Sequence, residues 1–262
     1  MIRNHMDTNI KPKISIITVT RNRADFIAQA LESAQKQSFT DWELIVSDDD
    51  SKDATEAIVA SYTVNDSRIK YYKNSPALGI SANRNKALKL APGQYIAVLD
   101  SDDYWLDNDK LQKQYDFLEQ NSDYALIGSN IRIINEKGDL IKETNFAIED
   151  QTIRENILKD NQIPHSSVLI RQELITKAGG YDERLSCVED LDLFLRLGRL
   201  GKMKNLVKIT TAYTRHSGSI SQKRKVIMAW NHYKIIIRNF GRYPGWFSAI
   251  IWAKLRLIKS FF

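Results

Sequence analysis

The sequence predicts an α/β domain, with a mainly parallel sheet flanked by helices, that is followed by an amphipathic helical tail. Three observations lead to this prediction. Short β-branched runs alternate with helical patterns up to about residue 105, polar clusters follow several of these runs, and an apolar helical periodicity returns after residue 223. Strands that alternate with helices favour parallel pairing, because the crossover helices cover both faces of the sheet.

The elements follow one another in a regular order. Residues Ile14–Val19 form a β-branched run typical of a buried strand, and Asp25–Lys36 has helical spacing. Strands and helices then alternate over Trp42–Val46, Ala54–Tyr62, Ile69–Tyr72, Ala82–Leu90 and Tyr95–Leu99. Beyond that point we expect helices at Lys110–Glu119 and Leu191–Leu200, and strands at Ala125–Ile134 and Ser167–Ile170.

The organisation indicates one continuous domain with a terminal addition at each end. We assign residues 1–12 to an N-terminal extension, residues 13–222 to the domain and residues 223–262 to the tail. Within the domain the pattern changes after residue 105, which separates a half at 13–105 from a half at 106–222. Glycine and proline are sparse, at 11 and 5 residues, which leaves little material for a long flexible linker.

Composition excludes several classes of protein. With 43% hydrophobic and 27% charged residues the chain can build a packed core, so wholesale disorder is disfavoured. The single cysteine, Cys187, cannot form an internal disulfide and suits a reducing compartment. The sequence has neither a signal peptide nor an apolar run long enough to span a membrane, so we expect a cytoplasmic protein.

The net charge of +6 is concentrated at one end of the chain. Residues 223–262 contain nine Lys or Arg and no Asp or Glu, so the remaining residues together carry a net negative charge. A basic nucleic-acid-binding surface is therefore disfavoured, and a local patch that meets an anionic surface is favoured.

Three polar clusters follow predicted strands, and they should converge. They are Thr20-Arg21-Asn22, Asp48-Asp49-Asp50 and Asp100-Ser101-Asp102-Asp103. In open α/β sheets ligands bind beyond the carboxyl ends of the strands. In extended geometry Asp100 and Asp102 would face the same way, so both could reach one Mg²⁺ or Mn²⁺ ion. A solvated turn is an equally good interpretation of this short pattern.

Three further residues or pairs have two interpretations each. Asp190, beside Glu189, could be a general base, although acidic residues also stabilise helix N-termini. Arg84 opens a helix and could face a diphosphate, or it could be an ordinary exposed arginine. His216 is one of four histidines, and by itself it is best interpreted as structural.

Taken together, the motifs resemble the inverting nucleotide-sugar glycosyltransferases of family 2, which have the GT-A fold. The resemblance covers residues 13–222, and its segments stand in the order ISIITVTRNRADFIAQALESAQKQSFTDWELIVSDDDSKDAT, GISANRNKAL, QYIAVLDSDDYWLDNDKL, PHSSVLIRQELITKAGGYDERL, VEDLDLFLRL and YTRHSGSIS. It implies a nucleotide-binding half at 13–105 and an acceptor half at 106–222. Acceptor selectivity would lie in residues 104–185, including Pro164–Ser167.

The resemblance also implies roles for individual residues. Asp49 and the backbone around Val19 and Arg21 would hold the nucleobase, most often uracil. Arg84 would face the diphosphate or ribose. Asp100, with Ser101 next to it in the donor site, would lie against the ribose and the water shell of the metal. Asp102 would ligate Mg²⁺ or Mn²⁺, with His216 against the metal or diphosphate. Asp190 would be the general base, with Glu189 beside it.

The chain departs from the family pattern at a few positions. Relatives usually carry proline and tyrosine where this sequence has Val19 and Arg21, and glycine where it has Asp50. Arginine cannot stack on a base as tyrosine does, although its guanidinium plane can partly substitute. The resemblance implies transfer of a UDP-linked sugar, with inversion, to a saccharide or lipid-linked saccharide in cell-envelope polysaccharide synthesis. The alternatives are a catalytically degenerate nucleotide-sugar-binding protein and a nucleotidyltransferase.

The tail pattern predicts a membrane contact. Apolar residues recur at helical spacing before and after Pro244-Gly245, in the two sets Val226, Trp230, Tyr233, Ile237, Phe240 and Trp246, Phe247, Ile250, Ile251, Leu255, Ile258, Phe261. Aromatic and apolar residues on one side with Lys and Arg on the other suit a helix that lies at the inner face of the cell membrane. The alternative is that these stripes pack on the domain or on a second subunit.

Overall fold

The computed structural model describes residues 11–218 and 224–260. Its first half alternates strands and helices as expected: β1 (Ile14–Thr20), α1 (Ile27–Gln35), β2 (Trp42–Asp48), α2 (Thr55–Asn65), β3 (Ile69–Lys73), α3 (Ile80–Leu90) and β4 (Tyr95–Val98). These elements lie within a few residues of the predicted bounds. Strands β1 to β4 pair in parallel, in the order β3-β2-β1-β4.

The second half is more irregular than the sequence predicts. It contains β5 (Tyr104–Trp105), α4 (Lys110–Gln120), β6 (Tyr124–Asn135), β7 (Leu140–Glu143), α5 (Asp150–Asn156), a 3₁₀ turn (His165–Ser167), β8 (Leu169–Arg171), α6 (Gln172–Ala178), α7 (Glu189–Leu197) and β9 (Lys202–Arg215). The sheet continues from β4 as β8-β6-β9-β5, with β7 on β6. Here antiparallel and parallel pairs mix, so the sheet is parallel in its first half and mixed in its second.

The longest strand, β9, is absent from the sequence prediction. Its 14 residues, KMKNLVKITTAYTR, do not alternate cleanly between apolar and polar, and the pairing of β9 with β6 shifts register at several points. The strand therefore depends on its pairing with a distant partner rather than on a local pattern.

The core forms two apolar layers, one on each face of the sheet. Neighbouring strand residues point to opposite faces, so Ile16 and Leu44 join one layer while Ile17 and Ile45 join the other. Both layers are fully buried at these positions, which explains why β1 and β2 are continuous apolar runs.

The tail forms two helices, α8 (Lys225–Arg238) and α9 (Trp246–Lys259). They pack on the domain mainly through residues outside the predicted apolar stripe: Ala229, His232, Ile235, Ile236, Ala249 and Ala253 are buried, and three stripe residues also contact the core. The stripe residues Val226, Trp230, Ile237, Phe240, Phe247, Ile251, Leu255 and Ile258 are exposed, and Tyr233, Trp246 and Ile250 are half-buried. Phe261 lies outside the described residues.

Candidate active site

A cleft of about 750 Å³ opens at the carboxyl ends of β1, β2 and β4. Strands β1 and β2 end level with each other, Thr20 opposite Asp48, so the residues that follow emerge side by side. The cleft is lined by all but one of the site residues expected from the sequence: Val19, Arg21, Asp49, Arg84, Asp100, Ser101, Asp102, Glu189 and Asp190. The expected convergence of the three polar clusters is therefore present.

Asp49 anchors the loop that leads into α3. Its carboxylate accepts hydrogen bonds from the backbone N–H groups of Leu78 and Gly79 at 2.7 and 2.9 Å, and from Asn74 Nδ2 at 3.0 Å. Gly79 has φ +90°, a conformation that L side chains rarely adopt. A buried carboxylate thus fixes the turn that sets the start of α3 beside the cleft.

Arg84 lies at the centre of a buried charged network. It is only 5% exposed, so the interpretation as an ordinary exposed arginine is wrong. Its Nη1 donates to Glu189 Oε1, and its Nη2 donates to Asp100 Oδ1 at 2.9 Å. The other Asp100 oxygen lies 3.1 Å from His165 Nδ1, and His165 Nε2 lies 2.9 Å from the Tyr181 hydroxyl.

The network changes the protonation behaviour of its members. Burial raises the pKa of the Glu189 carboxyl, against the lowering effect of Arg84. Burial also opposes ionisation of Asp100, but His165 and Arg84 outweigh it and hold the pKa of Asp100 far below its usual range. Asp100 is therefore firmly anionic, whereas Glu189 takes up a proton more readily than an ordinary glutamate.

Asp102 has different partners from Asp100. Its Oδ2 lies 2.9 Å from His216 Nε2 and accepts a hydrogen bond from Arg23 Nε at 3.2 Å. The expected extended geometry does not hold, because the chain turns at Ser101 and Asp102, although Asp100 and Asp102 both line the cleft. Asp102 and His216 meet although they are 114 positions apart, so His216 is more than an isolated structural histidine.

Asp190 lies in the first turn of α7. The residue at the start of that helix, Val188, has φ +58°, which is unusual for a β-branched side chain, and the chain bends there into the cleft. Asp190 Oδ2 accepts a hydrogen bond from Asn161 Nδ2 at 3.0 Å. Glu189, its neighbour, turns towards Arg84 instead.

Sequence reasoning missed several of the contact residues. Arg23 and Tyr181 lie within segments that carry the family resemblance and Asn161 lies outside them. No pattern singles these three residues out, because their contacts join segments that are far apart in the chain. His165 lies in the PHSS segment that the resemblance places in the acceptor region, so that segment was the only signal for it.

The tail also reaches the cleft. Arg224, Met228, His232 and Arg256 line it on the side that lies next to Asn161, Cys187 and Asp190. The spacing of the tail predicts only a surface element, so the contribution of these residues to the cleft depends on the tertiary structure.

Asp102 and His216 fit a divalent cation whose remaining ligands would be phosphate oxygens and water. Residues 11–218 and 224–260 contain no group of three His, Cys, Asp or Glu side chains that could hold a metal ion by themselves. Magnesium sites in phosphate-binding enzymes commonly use one or two carboxylates, with substrate phosphates and water as the other ligands. Two converging side chains therefore suit a metal ion whose coordination shell is completed by the phosphates of a bound substrate.

Comparisons with solved structures agree with this fold. Residues of this chain superpose on Staphylococcus aureus TarS 1–349 in complex with UDP-GlcNAc with a TM-score of 0.72 and 20% identity, over 95% of this chain and 71% of that one. A mannosyltransferase from Pyrobaculum calidifontis in complex with GDP-Man and Mn²⁺ gives a TM-score of 0.71 and 16% identity, over 96% and 74%. Identities this low establish the GT-A fold alone.

Curated relatives are closer in sequence. An uncharacterised glycosyltransferase of Methanocaldococcus jannaschii is 34% identical over 71% of this chain and 64% of its own length. The Escherichia coli UDP-Glc:alpha-D-GlcNAc-diphosphoundecaprenol beta-1,3-glucosyltransferase WfaP is 34% identical over 80% of both chains. This chain spans only 33% of an E. coli chondroitin synthase and 45% of a putative teichuronic acid biosynthesis glycosyltransferase of Bacillus subtilis.

The family assignment rests on a match that covers more than half of the chain. The model of glycosyl transferase family 2 matches residues 15–175, which include all of β1 to β4 except Ile14, the loop fixed by Asp49, and the Arg84, Asp100 and Asp102 positions. The resemblance inferred from the motifs is thereby confirmed: the chain belongs to glycosyl transferase family 2.

Proposed function

We propose that this chain is a metal-dependent, inverting glycosyltransferase that moves a sugar from UDP to a saccharide acceptor carried on a lipid. The observation that carries the proposal is the convergence of Asp102 and Asp190 in one cleft of about 750 Å³, with His216 Nε2 lying 2.9 Å from the Asp102 carboxylate. The cleft has space for a nucleotide sugar, and the names of the relatives supply the donor and acceptor classes.

The donor occupies the sheet side of the cleft in this proposal. Val19, Arg21 and Asp49 lie at the ends of β1 and β2 and receive the nucleobase, while Asp100 and Ser101 face the ribose and diphosphate. Arg84 holds Asp100 and Glu189 in place, because both of its terminal nitrogens are engaged by carboxylates. A buried, fixed arrangement of charges needs little reorganisation during a reaction.

Asp102 and His216 would hold the divalent cation. When bound there, Mg²⁺ or Mn²⁺ supplies positive charge that stabilises a departing diphosphate. Arg23 donates to the same Asp102 oxygen and would hold that carboxylate in position when no cation is bound.

Asp190 is the general base of the proposed reaction. It accepts the proton of an acceptor hydroxyl while that oxygen attacks the anomeric carbon and the bond from that carbon to the diphosphate oxygen breaks. A single displacement inverts the configuration, so an α-linked donor gives a β-linked product. Asn161 keeps the Asp190 carboxylate aimed into the cleft through its 3.0 Å hydrogen bond.

The tail would bring the enzyme to a membrane surface that carries the acceptor. None of the helices in residues 11–218 and 224–260 has the length and apolar character needed to cross a membrane. Most of the predicted apolar stripe of α8 and α9 is exposed to solvent, with Phe247 at 73% and Leu255 at 61%. Lys225, Lys234, Lys254 and Lys259 are exposed nearby, and each such cation near an anionic leaflet is worth about 1 kcal/mol. Membrane-bound polysaccharide synthesis in the cell envelope is the process that this arrangement suits.

A panel of nucleotide sugars tests the proposal. Thermal unfolding is measured with UDP-glucose, UDP-N-acetylglucosamine, UDP-galactose and GDP-mannose, with and without Mn²⁺, because a ligand that binds only the folded state raises the midpoint. We expect UDP-sugars to stabilise the protein and to be hydrolysed slowly or transferred. The Asp102→Ala variant is the control and should not respond to Mn²⁺.

Two outcomes would contradict the proposal. If none of the nucleotide sugars raises the unfolding midpoint, the chain is not a transferase of this class. If a UDP-sugar binds tightly but is never hydrolysed or transferred to any lipid-linked or free saccharide, the chain is the degenerate nucleotide-sugar-binding protein.

A further inference from the structure

Two arginines of the tail line the cleft on the side opposite the nucleobase end. Arg224 immediately precedes α8, and Arg256 lies in the last part of α9. Both side chains are exposed, and neither forms a salt bridge with any carboxylate in residues 11–218 and 224–260. The tail therefore presents two uncompensated guanidinium groups to the cleft.

Hydrogen bonds attach the tail to the segments that hold Asp190. Asn231 Nδ2 donates to the Cys187 carbonyl oxygen at 3.4 Å, and His232 Nε2 lies 3.0 Å from the Leu158 carbonyl oxygen. The first contact is just before Val188, where the chain bends into α7, and the second is close to Asn161, which donates to Asp190. The arginines are thus fixed on the side of the cleft where the acceptor hydroxyl would be deprotonated.

The side chains beside the two guanidinium groups do not compensate their positive charge. Arg224 lies by the Cys187 thiol, and burial raises the pKa of that thiol, so it stays neutral and does not compensate the arginine. Arg256 lies by His232, where burial and then the arginine itself lower the pKa of the imidazole. The Arg256 guanidinium carbon is 5.2 Å from the centre of the Trp252 ring, which belongs to the exposed face of α9.

We propose that Arg224 and Arg256 bind the diphosphate of the acceptor, a molecule in which the sugar to be extended is joined through a diphosphate to a lipid. The inference rests on the proposed function and deepens it by naming the group that the acceptor presents. Guanidinium forks match phosphate oxygens in geometry and charge. In the proposed function the donor diphosphate lies by the cation held at Asp102 and His216, so the tail arginines are left for a second anionic group.

The position of the tail explains why one lipid-linked acceptor could contact both the arginines and the exposed apolar surface of α9. Trp252, one turn before Arg256 on α9, and Leu255, directly before it in the chain, are both exposed, so an apolar surface begins next to the arginine. A lipid chain that follows the diphosphate would meet that surface, while the sugar on the other side of the diphosphate would point towards Asp190.

The test uses geranyl diphosphate as a probe and measures its binding by calorimetry to the full chain with UDP and Mg²⁺ at saturation. Saturation with UDP fills the donor site, so any further diphosphate must bind elsewhere. Geraniol and inorganic pyrophosphate are titrated in parallel. The variants are Arg224→Ala and Arg256→Ala, and their matched controls are Lys225→Ala and Lys254→Ala, which remove cations of the same helical segments that are not among the cleft-lining residues.

We expect geranyl diphosphate to bind more tightly than either pyrophosphate or geraniol. Each arginine variant should weaken that binding by about 10-fold, the usual effect of losing a charge-assisted hydrogen bond. Each lysine variant should change it less than about 2-fold, because exposed charges outside the cleft act only through screened long-range attraction. Affinity for UDP should be the same in all four variants.

Three results would overturn the inference. Equal effects of the arginine and lysine variants would show a general charge effect of the tail. Equal binding of pyrophosphate and geranyl diphosphate would assign the arginines to a soluble phosphate instead of a lipid-linked acceptor. Loss of UDP affinity in Arg224→Ala or Arg256→Ala would assign that arginine to the donor. Each of these is distinguishable from failure of the proposed function, in which the unmodified chain would not bind UDP at all.

Discussion

Arg84 and Glu189 form a buried ion pair that joins α3 to the first turn of α7 across 105 positions of the chain. Both side chains are only 6% exposed, and Asp100 shares the same arginine. The pair therefore links the donor side of the cleft to the helix that carries Asp190. Its strength should determine how firmly that helix is held.

A double-mutant cycle measures this coupling. Arg84→Met should destabilise the fold by about 3–5 kcal/mol, because it leaves buried carboxylates without their cation. Glu189→Gln should cost less, since Asp100 still accepts from Arg84. In the double variant the two losses of unfolding free energy should not add, because Glu189→Gln removes one of the carboxylates that Arg84→Met leaves without a cation. Urea denaturation gives the three free energies.

The exposed pair Lys177 and Glu173 is the matched control, four residues apart on α6. Its side chains are 61% and 67% exposed, so the coupling in Lys177→Met with Glu173→Gln should be below about 0.5 kcal/mol. A coupling at Arg84 no larger than this value would show that the buried pair is not structurally important.

Asp190→Asn should reduce transfer by ~10²–10⁴-fold, because the amide cannot accept the proton of the acceptor hydroxyl. Affinity for UDP should change little, since the hydrogen bond of Asp190 is to Asn161 and not to a residue assigned to the donor. Asn161→Ala removes the hydrogen bond to Asp190 but keeps the carboxylate, so its effect should be smaller. Steady-state transfer rates at saturating donor show whether Asp190→Asn reduces activity more than Asn161→Ala does. Normal turnover by Asp190→Asn would mean that the residue serves only the α7 N-terminus.

Chelation should abolish transfer, and added Mg²⁺ or Mn²⁺ should restore it. In the wild-type chain Mn²⁺ should tighten UDP binding, while in Asp102→Ala and His216→Ala the effect of Mn²⁺ should largely disappear, because each variant loses one metal ligand. Calorimetry with and without Mn²⁺ measures this difference. Full activity after exhaustive chelation would refute the metal site.

Replacing the exposed apolar stripe should release the protein from membranes. Phe247→Ser with Leu255→Ser removes two side chains that are 73% and 61% exposed, so the fold should be unaffected while co-sedimentation with anionic liposomes falls. Val207→Ser, at a residue 74% exposed outside the tail, is the control. Binding of the wild-type chain should also weaken with salt. Equal partitioning of all three proteins would leave the stripe without a membrane role.

The contact between α8 and the domain should weaken in acid. Asp182 accepts from Arg184 and from Arg238 of α8, and these partners lower its pKa to about 2, below the value of about 3.9 in an unfolded chain. A depressed carboxyl pKa adds stability above the unfolded value, and that stability is lost as pH falls from about 4 to 2. Since both arginines are largely exposed, we expect about 1 kcal/mol at most.

Asp182→Asn provides the comparison. It should be less stable than the wild-type chain above pH 4, and the difference should shrink towards zero near pH 2. Urea midpoints at several pH values give both curves. A constant difference over that range would mean that the ion pairs contribute nothing to the pH dependence.

Local sequence patterns determine much of this molecule by themselves. The apolar runs of β1, β2 and β4 are buried on both faces, so their character is a property of the sequence itself. The acidic and basic motifs are also recognisable from the sequence, because they directly follow these strands in the chain. The break between the tail helices is also visible in the sequence, because Pro244-Gly245 interrupts the helical spacing.

The pairing of distant residues is decided only by the tertiary structure. The sequence shows that Asp100 and Asp102 are close in the chain, but the turn at Ser101 sends one carboxylate to Arg84 and His165 and the other to His216. Likewise, β9 exists because β6 supplies its hydrogen bonds. The tail stripe is recognisable from spacing alone, yet most of it is exposed, and the residues that pack most deeply on the domain lie outside it. Local periodicity reports which side of a helix is apolar, whereas the shape of the surface on which it docks determines which side is covered.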